Sequence, residues 1–302
     1  MFKIVRIAGG IILLVIAIFI LYNILCSPVR ATYDITANTE YLSFSSPGGK
    51  ENSFALQNAN IMQFSDSLDS AFVGELVIRE GTDVIFERVG EGPLSISLQI
   101  TEAQMAKGSD GVIAVAEYAN SNRQSLKIKN NAEIFLEGLA ENYEKGIGLT
   151  IPFRGAPLIG HNLYEANLST STGALLNGTV SAYSQSFLSG ERYTAMSFEL
   201  LYGQSVSLSS KGSRSKGTGV IAITSDPGMK VIFTSNADYA VLERSGPGTM
   251  DLLPKLKPTV LDRFLQDRSL QIISILAGAI IVIFTIINFF IDTTRWFKRR
   301  SV

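Results

Sequence analysis

The sequence predicts a mainly β exterior region, an antiparallel sandwich or open barrel in two β-units, flanked by two transmembrane helices. Three observations carry this. Charge-free apolar runs stand near both ends of the 302-residue chain, Ile7 to Leu25 and Ile272 to Ile291. Between them apolar and polar residues alternate with period two, as on strands with one buried face. Turn-forming groups punctuate that alternation at short intervals.

A tail at 1–6 carrying Lys3 and Arg6 precedes the first predicted span at 7–26. Both runs approach the roughly 20 apolar residues that a helix needs to cross a ~30 Å hydrocarbon core. A cleavable signal peptide is the alternative for the first, because Val29-Arg30-Ala31 loosely fits a cleavage site. Its apolar stretch exceeds the usual h-region, and retention as an anchor is the reading adopted. Cys26 is the one cysteine, so no disulfide forms within the chain and burial alone must hold the exterior region together. That usage suits a bacterial periplasm.

Two β-units are expected, at 31–153 and 154–250. Leu94, Ile96, Leu98 and Ile100 alternate with serines and Gln99, and Leu126 and Ile128 with Lys127 and Lys129. Met196, Phe198 and Leu200 repeat the pattern, as do Val206 and Leu208 among serines. Turns are expected at Glu91-Gly92-Pro93, Asp110-Gly111, Asn130-Asn131, Asp226-Pro227-Gly228 and Gly246-Pro247-Gly248. The rhythm breaks between Pro152 and Leu163, which sets the expected boundary. Gly111-Val112-Ile113-Ala114 and Gly219-Val220-Ile221-Ala222 open similar patterns and suggest a repeat across it. One modest helix is expected around Leu136 to Lys145.

After Pro254 the period changes. Pro258 suits a first helical turn, and Val260, Leu261, Phe264 and Leu265 share a face, giving an amphipathic pre-membrane helix at 255–269. It could lie on the outer leaflet or extend the membrane helix outward; with no breaker before Leu270, it is expected to run on into the second span at 270–291. Arg295, Lys298, Arg299 and Arg300 follow in a basic tail at 292–302. The positive-inside rule then places both tails in the cytoplasm and 31–268 outside. The expected location is the inner, cytoplasmic membrane, crossed twice, with a large periplasmic domain.

Neither span holds an ionisable residue, which argues against ion or proton relay. Asn23 and Ser274 lie at matching outer depths, and Gly278 continues a small-residue face from Ser274, so these three are the candidate helix packing residues. The expected partner surfaces are the lipid bilayer, other envelope or membrane proteins, and a second copy of the chain.

Chemistry leaves fewer marks. Six of the 26 basic and one of the 27 acidic residues lie in the tails, leaving the remainder net −6. That balance speaks against nucleic acid as a partner. One His and one Cys make no zinc site, and Asp66 with Asp69 reads as a solvated acidic loop rather than a ligand pair. The Ser213 to Lys216 match to Ser-x-x-Lys sits in a Gly/Ser-rich basic stretch that reads as an exposed loop. Gly90-x-Gly92 and Gly217-x-Gly219 lack a third glycine, and His161 has no recognisable nucleophile nearby. Asn167-Leu168-Ser169 and Asn177-Gly178-Thr179 are glycosylation sequons that matter only in a eukaryotic secretory pathway.

No catalytic, cofactor or metal residues are therefore nominated, and no enzyme is expected. The leading expectation is a doubly anchored envelope protein whose β-domain is a protein-binding scaffold or subunit of a membrane complex. A glycan or ligand module, with Tyr183, Phe187, Tyr193 and Tyr202 as candidate stacking rings, is the alternative. A hydrolase using a paired carboxylate is the third. The layout is similar to that of polysaccharide co-polymerases, but their exterior regions are helical, so the resemblance supplies no residues.

Overall fold

The computed structural model describes residues 16, 19–47, 52–63, 66–101, 110–120, 125–136, 149–160, 173–186, 188–244 and 255–300. Nineteen strands dominate the described residues. The first nine are β1 (Ala31–Thr39), β2 (Tyr41–Ser45), β3 (Ser53–Gln63), β4 (Asp66–Ile78), β5 (Thr82–Glu87), β6 (Leu94–Ile100), β7 (Val112–Tyr118), β8 (Leu126–Lys129) and β9 (Ala132–Leu136). There follow β10 (Leu149–Gly155), β11 (Leu158–Ile159), β12 (Leu175–Gln185), β13 (Arg192–Leu200), β14 (Gln204–Ser210) and β15 (Ser213–Arg214). The last four are β16 (Gly217–Ile223), β17 (Met229–Ala237), β18 (Tyr239–Arg244) and β19 (Lys255–Leu256). Two helices close the chain, α1 (Val260–Gln266) and α2 (Arg268–Arg300), and residues 19–25 are also helical.

The chain divides into two compact units. One comprises Val29–Ala182 and Met196–Lys257, the other Met1–Pro28, Tyr183–Ala195 and Pro258–Val302. The first holds the expected antiparallel β fold, as two sheets sharing a core, which is the sandwich rather than the open barrel. The smaller sheet orders its strands β10-β16-β17-β1-β12-β13. The larger runs β19-β18-β14-β11-β2-β5-β6-β9-β3-β4-β7-β8, with β15 paired to β14.

Period-two burial explains the layering. Ala31, Tyr33, Ile35 and Ala37 of β1 are buried while the residues between them are half-exposed. The same holds for Leu94, Ile96 and Leu98 of β6, matching expectation. Four stacked phenylalanines bridge the layers: Phe86 to Phe44 at 6.1 Å, Phe44 to Phe153 at 4.9 Å and Phe153 to Phe233 at 5.9 Å between ring centroids. Gly219 makes the last stack possible. It stands opposite both Phe153 and Phe233 in the sheet, and a Cβ there would lie 2.5 Å from the Phe153 ring. The absent side chain leaves that space to the aromatic rings.

Arg88 locks one edge of this core. Its side chain is buried, and it donates to the carbonyls of Gly92, Thr224, Asp226 and Gly228 at 2.6–3.1 Å. Glu40 completes the knot, accepting from the backbone N–H groups of Gly90 and Ala174. The Gly90-x-Gly92 pair thus serves a turn.

Among the described residues one helix, Arg268–Ile291, is long and apolar enough to cross a membrane. Most of the first run, and with it the first expected span, lies outside the described residues. Several other expectations need correction. The pre-membrane helix does not run on into the second span: β19 takes its first two residues and α1 stops at Gln266. Asp267 then adopts extended dihedrals, φ −77° and ψ 104°, before α2 begins. Asp66 and Asp69 lie on β4 rather than in a loop. Leu136 closes β9, and the rest of the helix expected to Lys145 lies outside the described residues. The boundary expected at 153/154 falls inside β10, and both sheets draw strands from either side of it.

Candidate functional site

The most specific polar arrangement in the smaller unit stands at the head of α2. A helix begins with orphan N–H groups, and a short acceptor in extended conformation satisfies them best. Asp267 is such a residue: its Oδ1 accepts from the N–H of Ser269 at 2.9 Å, and its carbonyl accepts the first α2 bond from Gln271 at 3.0 Å. Its own N–H donates back to the Arg263 carbonyl at 2.8 Å, closing α1. One residue therefore ends one helix and starts the next. At the other end of α1, Thr259 and Asp262 form a capping box.

A β-hairpin tip clamps this junction. Ser186, just beyond β12, donates to Asp267 Oδ1 at 2.8 Å and its hydroxyl lies 2.7 Å from that of Ser269. Both Ser186 and Asp267 are buried. The tip is tightened by Ser186 N–H to Glu191 carbonyl and by Gly190, whose φ of +68° suits glycine. Tyr193 reaches the Arg263 carbonyl at 3.4 Å, and the Arg192 guanidinium stacks 4.1 Å from the Tyr183 ring centre. The chain segment leaving the first apolar run arrives here as well: Pro28 bridges to Thr259, and Val260 N–H donates to the Ser27 carbonyl at 3.1 Å.

The sandwich unit carries a different feature on the outer face of its larger sheet. Strand register aligns Ser207, Leu158, Ser43, Ile85, Ser97, Glu133 and Met62 across seven strands. An open concavity of about 390 Å³ lies alongside, lined by Tyr41, Ser43, Ser45, Asp83, Gln99 and Arg214 among others. Burial pushes the Asp83 carboxyl up from its ordinary range, against the opposing pull of a Ser45 hydrogen bond and the Arg214 charge. The group is thus a carboxyl that holds its proton more tightly beside a cation, a phenol and an amide. Asp83 is the one carboxylate lining it among the described residues. Glu87, on the same face of β5, is four residues on, or about 13 Å along a strand, beyond the ~5–10 Å of a glycosidase pair.

Two of the candidate packing residues make local hydrogen bonds. Asn23 Nδ2 donates to the Phe19 carbonyl at 2.8 Å and Ser274 Oγ to the Leu270 carbonyl at 2.6 Å, each within its own helix. A Cβ at Gly278 would find no atom within 4 Å. Tyr183 and Tyr193 are tied into the hairpin tip as above, whereas Tyr202 is 71% exposed in a turn. Phe187, His161 and Asn167 lie outside the described residues. Asn177 is on β12 and accepts from Asn38 at 3.1 Å. Ser213 and Arg214 are exposed as expected, but they form the short strand β15 rather than a loop, and Ser215 beside them is buried. No grouping of three or more metal-ligating side chains occurs among the described residues.

Sequence reasoning passed over Asp267 and Ser186. The run Asp267-Arg268-Ser269 does carry a capping signal, but helical periodicity on both sides hid it. Asp83 carried no signal beyond its place on a strand.

Comparison of the chain with protein-family models, curated proteins and solved structures found no match.

Proposed function

We propose that the chain is a doubly anchored membrane protein whose exterior β-sandwich is a protein-binding scaffold within a complex of the cell envelope. The observation that carries this is the meeting of Ser27 and Pro28 with Thr259 and Val260. It brings the end of the first apolar run beside the start of α1, the short helix that precedes the second run. Two helices leaving the same small unit suit entry into one face of a bilayer. The exposure of α2's apolar side chains, from Ile272 to Ile291, supports the same reading, since such a surface is costly in water. The basic tails then stand on the cytoplasmic side.

Within that reading the spans pack between copies or against other proteins. Ser274 and Gly278 leave an open small-residue face on α2. Isolation of the full chain from membranes in mild detergent tests the scaffold role. A reproducible complex, with partners or with further copies, is the expected result. A chain that emerges alone under all mild conditions rejects it.

The concavity at Asp83 and Arg214 favours a second reading, an envelope glycan or small-ligand module, because it offers donors and acceptors beside the Tyr41 ring. Titration of the full-length protein with envelope glycans tests this. Binding lost in both Asp83→Ala and Arg214→Ala supports it, and no binding by the parent protein rejects it.

A further inference from the structure

We propose that α1 and the tip of the β12–β13 hairpin form a collar seated in the interfacial layer of the lipid leaflet from which α2 descends. The inference rests on reading α2 as a membrane span. Leu261, Phe264 and Leu265 stand three and four residues apart, so they share one face of α1. No residue of α1 is buried, and these three are 37%, 39% and 56% exposed. That face therefore covers no protein core. Leu188 at the hairpin tip is 62% exposed.

The clamp at Asp267 ties both apolar groups to the head of α2. Ser186 binds Asp267 and Ser269, and Tyr193 binds the α1 carbonyl of Arg263. Leu188 is two residues from Ser186 and Leu265 two from Asp267, so each lies within about 7 Å of the clamp along its chain. The apolar helix from Arg268 to Ile291 has 24 residues. At 1.5 Å per residue that is about 36 Å, which spans a ~30 Å core with roughly one turn to spare. The Asp267 clamp at its head thus falls in the headgroup region, where amphipathic helices and Tyr or Arg side chains sit well. Arg192 stacked on Tyr183 and the Tyr193 hydroxyl present that chemistry. The occupant of the apolar surface is lipid, and the consequence is a fixed height of this unit on the membrane, in place of a free tether.

Single-cysteine variants of the full chain test this after Cys26→Ser, since Cys26 is an exposed thiol. Leu188→Cys, Leu265→Cys, Ile280→Cys and Gln99→Cys are labelled with an environment-sensitive fluorophore. Each is reconstituted in phosphatidylcholine vesicles carrying nitroxide lipids with shallow or deep spin labels. The collar predicts shallow-lipid quenching at 188 and 265 about threefold above that at 99, with deep-lipid quenching at 280. Quenching at 280 with 188 or 265 no different from 99 overturns the collar and leaves the span intact. No quenching at 280 overturns the span itself, and the collar with it.

Discussion

Arg88 shows how a single side chain holds distant turns together. Its guanidinium serves carbonyls 136 to 140 residues away as well as that of Gly92. Arg88→Met removes the donors while keeping much of the volume, and leaves those acceptors without this partner. A loss of about 3 kcal/mol or more is expected in thermal or denaturant unfolding of the detergent-solubilised chain. Asp83 acts in the opposite sense. Its carboxyl is raised in the folded state, so the folded form binds a proton more readily than the unfolded one. Stability is then lost as pH rises from about 3.9 through the raised value, and the deficit persists at neutral pH. Asp83→Asn should melt higher than the parent at pH 7, with the advantage shrinking to nothing below about pH 3.5. A constant offset at all pH values would contradict this. Neither residue was legible beforehand: Arg88 reads as an ordinary strand-end cation, because its partners are carbonyls contributed by remote turns. The alternation of Leu94, Ile96 and Leu98 with polar residues is, by contrast, plain in sequence and buried as the pleat requires.

At the scale of elements, strands were legible where one face is buried and illegible where the surroundings override the pleat. Leu94 to Ile100 behaves as its pattern implies. On β14, Ser205, Ser207 and Ser209 are buried along with Val206 and Leu208, so both faces are covered despite the serines. On β13, Phe198 is 42% exposed although its alternation with Ser197 and Glu199 suggests burial. The break between α1 and α2 was missed for a physical reason: a capping Asp interrupts a helix without the steric mark of proline or glycine. Asp267→Ala should cost the first turn of α2 about 1 kcal/mol, speeding hydrogen exchange at Ser269 and Leu270 roughly fivefold. Asp267→Asn keeps an acceptor oxygen and should recover most of that protection. Equal exchange in the parent and the Ala variant would show that the clamp does not hold the helix start.

At the scale of the whole molecule, the β class, the described turns and the second apolar run follow from local pattern, while the pairing of strands does not; the turn expected at Gly246-Pro247-Gly248 lies outside the described residues. β1 lies between β17 and β12, and β2 between β11 and β5, so each sheet is assembled from both halves of the chain. Period two fixes which face of a strand is buried but says nothing of which strand lies beside it. The repeat suggested by Gly111 and Gly219 illustrates this. Gly219 is shaped by the rings of Phe153 and Phe233, a relation visible only once the sheet is formed. In the proposed topology this sandwich lies outside a membrane while the basic segment 292–302 stays in the cytoplasm. Impermeant maleimide labelling of Gln99→Cys and Ser301→Cys in the Cys26→Ser chain, on intact spheroplasts, tests it directly. Residue 99 is expected to react at once and residue 301 only after permeabilisation. Reaction of residue 301 in intact spheroplasts, or none at residue 99, would contradict it.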